Sequence, residues 1–212
     1  MSILRHLSSQ TGDRTEYSNR KVVVLCLDNP ALLPDIAAGL KHQEAAIVGD
    51  CAEVLTHIAE YHPDWVAPFA ADLIPLIRNM NTRVRWEAMH ALALVATLTP
   101  EIIGPLLPQL EEMMHNDKSV IVRDYATDAI AGYATTGDAA AQAVFPMLKE
   151  MLTLWKGKQA GHALMGMIAV TKHLPEKHSE LRHIAEEFSD FPRPVVRKAA
   201  RALNKALETF SK

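Results

Sequence analysis

Apolar residues follow one another along this chain at helical spacing, and short polar joints separate the apolar stretches. Two segments show the pattern most clearly, because their apolar residues fall on one side of a helix. These residues are Val84, Ala88, Ala91, Leu92 and Val95 in the first segment, and Val122, Ala126, Ala129 and Ile130 in the second. Only residues 22–27 read as a strand by β-propensity. Since no second strand accompanies them, we predict a short capping helix there.

A small residue recurs in these stripes at a nearly constant interval. The positions are spaced 37, 38, 37 and 37 residues apart, and they hold Cys51, Ala88, Ala126, Ala163 and Ala200. A period of this size is typical of stacked copies of one supersecondary unit. A small side chain in the middle of a helix lets a neighbouring helix approach closely, which explains the choice of alanine or cysteine.

The pattern predicts about five pairs of helices. The first helices are expected over residues 30–40, 63–77, 100–115, 140–155 and 175–188, and the second helices over 43–61, 83–97, 120–134, 160–173 and 195–210. Prolines mark several helix starts, as in Thr99-Pro100-Glu101, where a hydroxyl precedes the proline and an acid follows it. Pro68 and Pro105 lie inside first helices and are expected to kink them.

The two ends of the chain carry different expectations. Residues 1–18 are polar and predict a flexible N-terminal segment, whereas residues 19–212 predict a single solenoid domain. In the fourth pair, Gly157, Gly161 and Gly166 stand where the other pairs have helix formers. They indicate either close helix packing or a compliant spot that adapts to a partner.

A valine-arginine pair precedes the small residue in three of the repeats. The arginines are Arg85, Arg123 and Arg197, and Asp117 stands six residues before Arg123. With the kinked first helix and the polar joint, this pattern resembles the HEAT-repeat family over about residues 30–210. Repeats one and four depart from it, and Phe191 replaces the acid before Arg197.

The resemblance implies an all-α fold, a right-handed α-α superhelix or HEAT-like solenoid, with second helices lining a concave face. In such a fold an acid commonly pairs with the arginine along the stack. We therefore expect Arg85, Asp117, Arg123 and Arg197 to form a structural ladder. Members of the family mostly act as scaffolds and adaptors, while a minority bind nucleic acid and a few relatives are enzymes.

Composition narrows the classes of function. The chain is 49% hydrophobic and 22% charged, with a net charge of −3, which argues against a general polyanion binder. The last twenty residues, 193–212, carry +5, so the remainder carries −8. This basic end is either a solvated helix face or a binding patch. The two cysteines suggest neither a disulfide framework nor a redox motif. With no signal peptide or membrane span visible, we expect a cytoplasmic protein.

The side of the second helices opposite the apolar stripe carries the candidate binding residues. They are Glu53, Trp86, His90, Asp124, Asp128, His162, Lys198 and Arg201. Trp86 is the strongest single candidate for a binding hot spot, although it could instead pack against the next repeat. An acidic middle and a basic end of this face suit a protein partner of mixed charge, and ordinary solvated helix faces remain an equal alternative.

Neither a metal site nor a catalytic set is predicted. The histidine pairs are five residues apart, which places the rings on different helix faces. The chain has no phosphate loop, nucleophile elbow or HExxH motif. Asp124 and Asp128 lie one turn apart and could act as an acid and base, but solvation of both is the simpler interpretation. No cofactor is expected.

We therefore predict a non-enzymatic scaffold or adaptor that binds a protein or peptide on its concave face. One alternative is a nucleic-acid protein similar to the HEAT-like DNA glycosylases, which Trp86, Tyr125 and Asp124 match loosely. The chain lacks the basic excess that duplex binding needs, so nucleic acid is an unlikely partner. Another alternative is a lyase-like or chaperone-like accessory subunit of an enzyme. A homodimer is also possible, since the last helix has an apolar side formed by Val195, Val196, Ala199, Leu203 and Leu207.

Overall fold

The computed structural model describes residues 2–209, and every regular element in that range is a helix. The α-helices are α1 (Ser8–Thr11), α2 (Tyr17–Asp28), α3 (Leu33–Gly39), α4 (Ala45–Ala59), α5 (Pro63–Val66), α6 (Ala70–Leu73), α7 (Thr82–Val95), α8 (Pro100–Asn116), α9 (Val120–Ala134), α10 (Asp138–Met151), α11 (Leu154–Gly157), α12 (Ala160–His173), α13 (His178–Glu187) and α14 (Pro194–Thr209). Short 3-10 helices cover Ile3–His6, Pro30–Leu32, Ala67–Phe69, Ile74–Arg78 and Pro175–Lys177. The predicted helix end at Phe210 and the cation Lys212 lie outside the described residues.

The chain forms two compact units, Met1–Ile102 and Ile103–Lys212. Helix α8 begins in the first unit and ends in the second. The prediction of a single domain over residues 19–212 stays a prediction.

In the first unit, α4 lies between α2 and α7. Helix α3 packs on α4, and α6 with Ile74–Arg78 packs on α7, so each second helix has its own first helix beside it. Residues 22–27, which β-propensity alone would make a strand, lie within α2, so the predicted helix is confirmed. Pro68 falls in the 3-10 turn Ala67–Phe69 that separates α5 from α6, because its ring is incompatible with a continuous helix there. Pro105, by contrast, lies inside α8.

The N-terminal segment is folded, which corrects the expectation that residues 1–18 are flexible. Ile3–His6 is a 3-10 helix, α1 follows it, and Leu7 between them is fully buried. The backbone N–H of Ser8 donates to Asn19 Oδ1 (2.8 Å), and the N–H of Asn19 donates back to Ser8 Oγ (3.2 Å). These long-range polar contacts order a segment that lacks an apolar stripe of its own.

In the second unit, α12 lies between α9 and α14. Helix α10 packs on α9 and α12, and α13 packs on α12 and α14. The apolar side of α14 is used within the unit, since Val196, Ala199, Leu203 and Leu207 are buried. These contacts already cover the surface from which we predicted a dimer contact, with only Val195 exposed. The homodimer itself stays a prediction.

The recurring small positions confirm the close packing of the second helices. Their side chains are all fully buried, with 0% exposure at Cys51, Ala88, Ala126, Ala163 and Ala200. A larger side chain at any of these positions would push two helices apart. Gly166 of the fourth pair packs in the same way, because a Cβ there would lie 2.7 Å from Ala131 Cβ of α9.

The three recurring arginines hold the loop before their own helix. Arg85 Nη1 donates to the carbonyl of Asn79 (2.9 Å), Arg197 Nη1 donates to that of Phe191 (2.9 Å), and Arg123 bonds that of Asp117. The acceptor in each case is the backbone oxygen six residues earlier. A backbone acceptor explains why phenylalanine can replace the acid before Arg197. The predicted ladder along the stack stays a prediction.

No single helix in the described range is long and apolar enough to cross a membrane. One pair of helical segments, Tyr17–Asp28 and Pro30–Gly39, together has the length and composition of a membrane span, but the two segments are bent by 119° relative to each other.

Gly166→Ala should destabilise the second unit by about 1–3 kcal/mol, because its Cβ would overpack against Ala131 in spite of alanine's better helix propensity. Gly161→Ala is a matched control in the same helix, where the new Cβ would lie 3.7 Å from Val195 Cγ2, an ordinary contact. We expect the control to be neutral or to stabilise by up to about 1 kcal/mol. Urea unfolding of both variants measures the difference, and equal effects would contradict this packing.

Candidate functional site

The first unit contains a cleft of about 450 Å³, which we call the acidic cleft. Helices α4 and α7 supply one side, and the folded N-terminal segment supplies the other. Its lining residues are Ser8, Ser9, Asp13, Arg14, Thr15, Glu16, Asp50, Glu53, Arg83, Trp86 and Glu87. Five of these are acids and two are arginines, so three negative charges are in excess.

A buried polar network forms the floor of the acidic cleft. Asn19 Nδ2 donates to Asp50 Oδ1 (3.0 Å) and to Glu53 Oε2 (2.8 Å), and Arg83 Nη2 bonds the same two carboxylate oxygens. Burial alone would raise the pKa of Asp50. The hydrogen bonds from Ser9, Asn19 and Arg83 nevertheless bring its pKa below the usual range. Asp50 is therefore a fixed negative charge.

This network changes the role expected for Glu53. We predicted a concave-face residue that helps to make the groove acidic, and its side chain is only 7% exposed and is held by Arg83 and Asn19. Glu53 lines the cleft but acts on a ligand through its field rather than as a mobile contact. Its bonds to Asn19 and Arg83 cross between helices, which is why helical spacing alone could not show them.

Trp86 lies in the acidic cleft, half-buried, on α7. Its indole Nε1 donates to Glu87 Oε1 at 2.7 Å, which fixes the ring. Burial is the main reason that the pKa of Glu87 is raised, and the hydrogen bond from Trp86 opposes the shift. His90, one turn further along α7, is half-buried and is not among the cleft-lining residues. The cleft thus places an aromatic face beside the carboxylate of Glu87, whose charged form is disfavoured by burial.

Sequence reasoning missed the wall that the N-terminal segment contributes. Its turn is held by Asp13, which accepts hydrogen bonds from the backbone N–H groups of Thr15 (2.9 Å) and Ser18 (2.8 Å). The Asp-x-Thr spacing is a recognisable turn signal. What it does not reveal is that Ser9 N–H reaches Asp50 Oδ2 (2.7 Å), 41 positions further along the chain.

The second unit contains a cleft of about 540 Å³ at the N-terminal ends of α9, α12 and α14, which we call the basic cleft. Its lining residues are Val120, Asp124, Lys156, Lys158, Gly161, His162, Arg193 and Val195. Two of the predicted site residues, Asp124 and His162, are therefore brought together here. The predicted cations Lys198 and Arg201 are exposed on α14 but are not in this lining.

His162 binds the two aspartates of the neighbouring helix. Its Nδ1 lies 2.7 Å from Asp128 Oδ1, and its Nε2 lies 3.9 Å from Asp124 Oδ1. Asp124 also accepts from Gln159 Nε2 at 2.9 Å. The hydrogen bond to Asp128 is the main reason that the pKa of His162 is raised. The aspartates therefore serve an interhelical ion pair, which argues against a shared-proton acid and base.

The segment α11 contains an unusual backbone turn beside the basic cleft. Trp155 (φ 53°) and Lys156 (φ 58°) are non-glycine residues in the left-handed region, a conformation that needs support from its surroundings. The support comes from Trp155, whose Nε1 donates to the carbonyl of Met114 (2.9 Å) and whose ring stacks on Arg123 at 4.0 Å. This turn places Lys156 on the cleft, and no helical periodicity predicts it.

Within residues 2–209, two clusters bring potential metal ligands together. Glu16, Glu53 and His57 have ligand atoms within 4.8 Å of one another, but the nearby guanidinium of Arg83 opposes a cation and already bonds Glu53. Glu111, His115 and Glu150 form the second cluster on the more exposed α8 and α10. The sequence did not predict these sets, because each one joins different elements.

Solved structures similar to this one are repeat proteins. A designed armadillo repeat protein in complex with the peptide (KR)4 is 18% identical, covers 97% of this chain and 98% of its own, and gives a TM-score of 0.72. A computationally designed armadillo repeat protein for modular peptide recognition gives 0.70 at 16% identity, with 96% and 98% covered. The chain has a HEAT/armadillo-like repeat fold.

A natural protein shows the same architecture at lower similarity. The archaeal HEAT-like repeats protein from Thermococcus onnurineus NA1 is 10% identical, with 91% of this chain and 93% of that one covered and a TM-score of 0.57. No protein-family model and no curated protein sequence matches the chain. The likeness confirms the predicted all-α solenoid, and these neighbours are repeat scaffolds rather than enzymes.

Replacing His162 should lower stability in a pH-dependent way. Because the folded pKa of His162 lies above the ordinary value of about 6.5, its contribution is fully present below that value. The contribution is lost as the pH rises through the folded pKa. The fall in unfolding midpoint on His162→Gln should therefore be larger near pH 6 than near pH 9. His183→Gln, at a side chain that is 83% exposed, is the control. A fall for His162→Gln that is equal at both pH values would contradict the ion pair.

Proposed function

We propose that this protein is a non-enzymatic scaffold that binds a protein or peptide, with the acidic cleft as a site for a basic side chain of the partner. The observation that supports this most directly is the excess of three negative charges around the fixed indole of Trp86. An ammonium or guanidinium group entering the cleft would meet an aromatic face and nearby carboxylates.

The fixed geometry of the cleft favours such a ligand. Asp50 and Glu53 share the guanidinium of Arg83, so part of their charge remains uncompensated. A cation beside the half-buried carboxylate of Glu87 would favour its charged form and so oppose the rise in its pKa that burial causes. Since these groups are held before binding, little side-chain order has to be created on association.

The structural neighbours support the same class of partner. One designed armadillo repeat protein was solved with the basic peptide (KR)4, and another was designed for modular peptide recognition. We extend this to a protein or peptide partner for the present chain, acting in the cytoplasm. Nucleic acid is disfavoured at the acidic cleft, because its negative field repels phosphates.

Binding of fluorescently labelled (KR)4 to the full chain tests the proposal. We expect saturable binding that weakens as salt is raised. Trp86→Ala should weaken it by about tenfold or more, the effect of losing a central aromatic contact. Trp65→Ala is the matched control, since Trp65 lies in the same unit, stacked on His62 and outside the cleft.

Glu87→Gln separates the charge from the shape of the site. It keeps an acceptor near the indole but removes the carboxylate, so (KR)4 affinity should fall while the fold is retained. Equal affinity of the wild type, Trp86→Ala and Trp65→Ala would contradict the proposed site. Failure of (KR)4 to bind the wild type at low salt would contradict a basic partner.

A further inference from the structure

The basic cleft of the second unit carries positive charge that no carboxylate neutralises. Lys156, Lys158 and Arg193 all line it, and among residues 2–209 none of the three forms an ion pair with an acid. The one acid in the lining, Asp124, is engaged by Gln159 and His162. Three unpaired cations around one cavity, in a chain with net charge −3, indicate a place for an anionic group.

Arg193 and Lys156 both belong to loops with a defined backbone structure. Arg193 Nη1 donates to the carbonyl of Lys158 at 2.7 Å, which ties the loop before α14 to the loop before α12. Lys156 belongs to the left-handed turn that Trp155 anchors on the carbonyl of Met114. This anchored turn distinguishes Lys156 from a lysine on the surface of a regular helix. The guanidinium of Arg193 and the backbone of Lys156 are therefore held in place before any ligand arrives.

Apolar side chains lie beside the cations. Val120 is 39% exposed and Val195 is 58% exposed, and both line the basic cleft. Gly161 also lines the cleft, next to Val195. Uncovered valines next to unpaired cations suit a ligand that offers both a carboxylate and a hydrocarbon side chain.

We propose that the basic cleft is a docking surface for an acidic peptide segment. A glutamate or aspartate of the segment would pair with Lys156, Lys158 and Arg193, and an adjacent apolar side chain would cover Val120 and Val195. The inference rests on the proposed scaffold function but concerns a different surface and the opposite charge. A nucleic-acid strand fits less well, because it would leave the valines uncovered and bring phosphates towards Asp124.

The test uses two labelled peptides, (KR)4 and the matched acidic peptide (EL)4, with the full-length chain. We expect (EL)4 to bind and Lys158→Glu to weaken its binding by about tenfold. The fold should be unaffected, because the carbonyl that accepts from Arg193 is retained. Lys205→Glu makes the same change in charge at an exposed residue of α14 outside the cleft, and it should leave (EL)4 affinity within about twofold.

Several outcomes would overturn the inference. Equal loss of (EL)4 affinity in Lys158→Glu and Lys205→Glu would indicate only a general charge effect. Failure of (EL)4 to bind while (KR)4 still binds would refute the basic cleft and leave the proposed function of the acidic cleft standing. Tighter binding of single-stranded oligo(dT) than of (EL)4, lost in Lys158→Glu, would replace the peptide with nucleic acid. If (KR)4 fails and (EL)4 binds, the inference stands and only the acidic cleft is wrong.

Discussion

The close approach of the second helices at one small residue in each repeat is the constraint on which the rest of the structure depends. Cys51, Ala88, Ala126, Ala163 and Ala200 have no exposed surface, so one side of each of these helices is committed to its neighbours. Polar side chains are consequently restricted to the remaining surface and to the joints. The two charged clefts lie there, each built from adjacent second helices and the loops that lead into them.

The sequence predicted those parts of the fold that depend on local pattern. The expected second helices over residues 120–134 and 160–173 coincide with α9 and α12, because apolar periodicity and capping residues act within a few turns. The N-terminal segment could not be predicted in the same way. Its order depends on Asn19 and Asp50, and sequence spacing does not show that Ser8 and Ser9 meet them.

The candidate sites were predictable only where a residue's chemistry is independent of its neighbours. Trp86 was identified as an aromatic on the polar side of α7, and it does line a cleft. The bond of Glu53 to Arg83 could not be predicted, because it joins two helices. Lys156, Lys158 and Arg193 were missed as binding residues because loops place them, and the left-handed turn at Trp155 has no glycine before Gly157 to announce it.

We propose that the chain offers separate clefts to groups of opposite charge. Its three tryptophans make one direct measurement possible, a two-dimensional NMR titration of the indole N–H resonances. Trp86 bonds Glu87 in the acidic cleft, Trp155 adjoins Lys156, and Trp65 serves as a reference. We expect (KR)4 to shift the Trp86 resonance alone and (EL)4 to shift the Trp155 resonance alone. Equal shifts of both resonances with either peptide, or a shift of Trp65 alone, would contradict it.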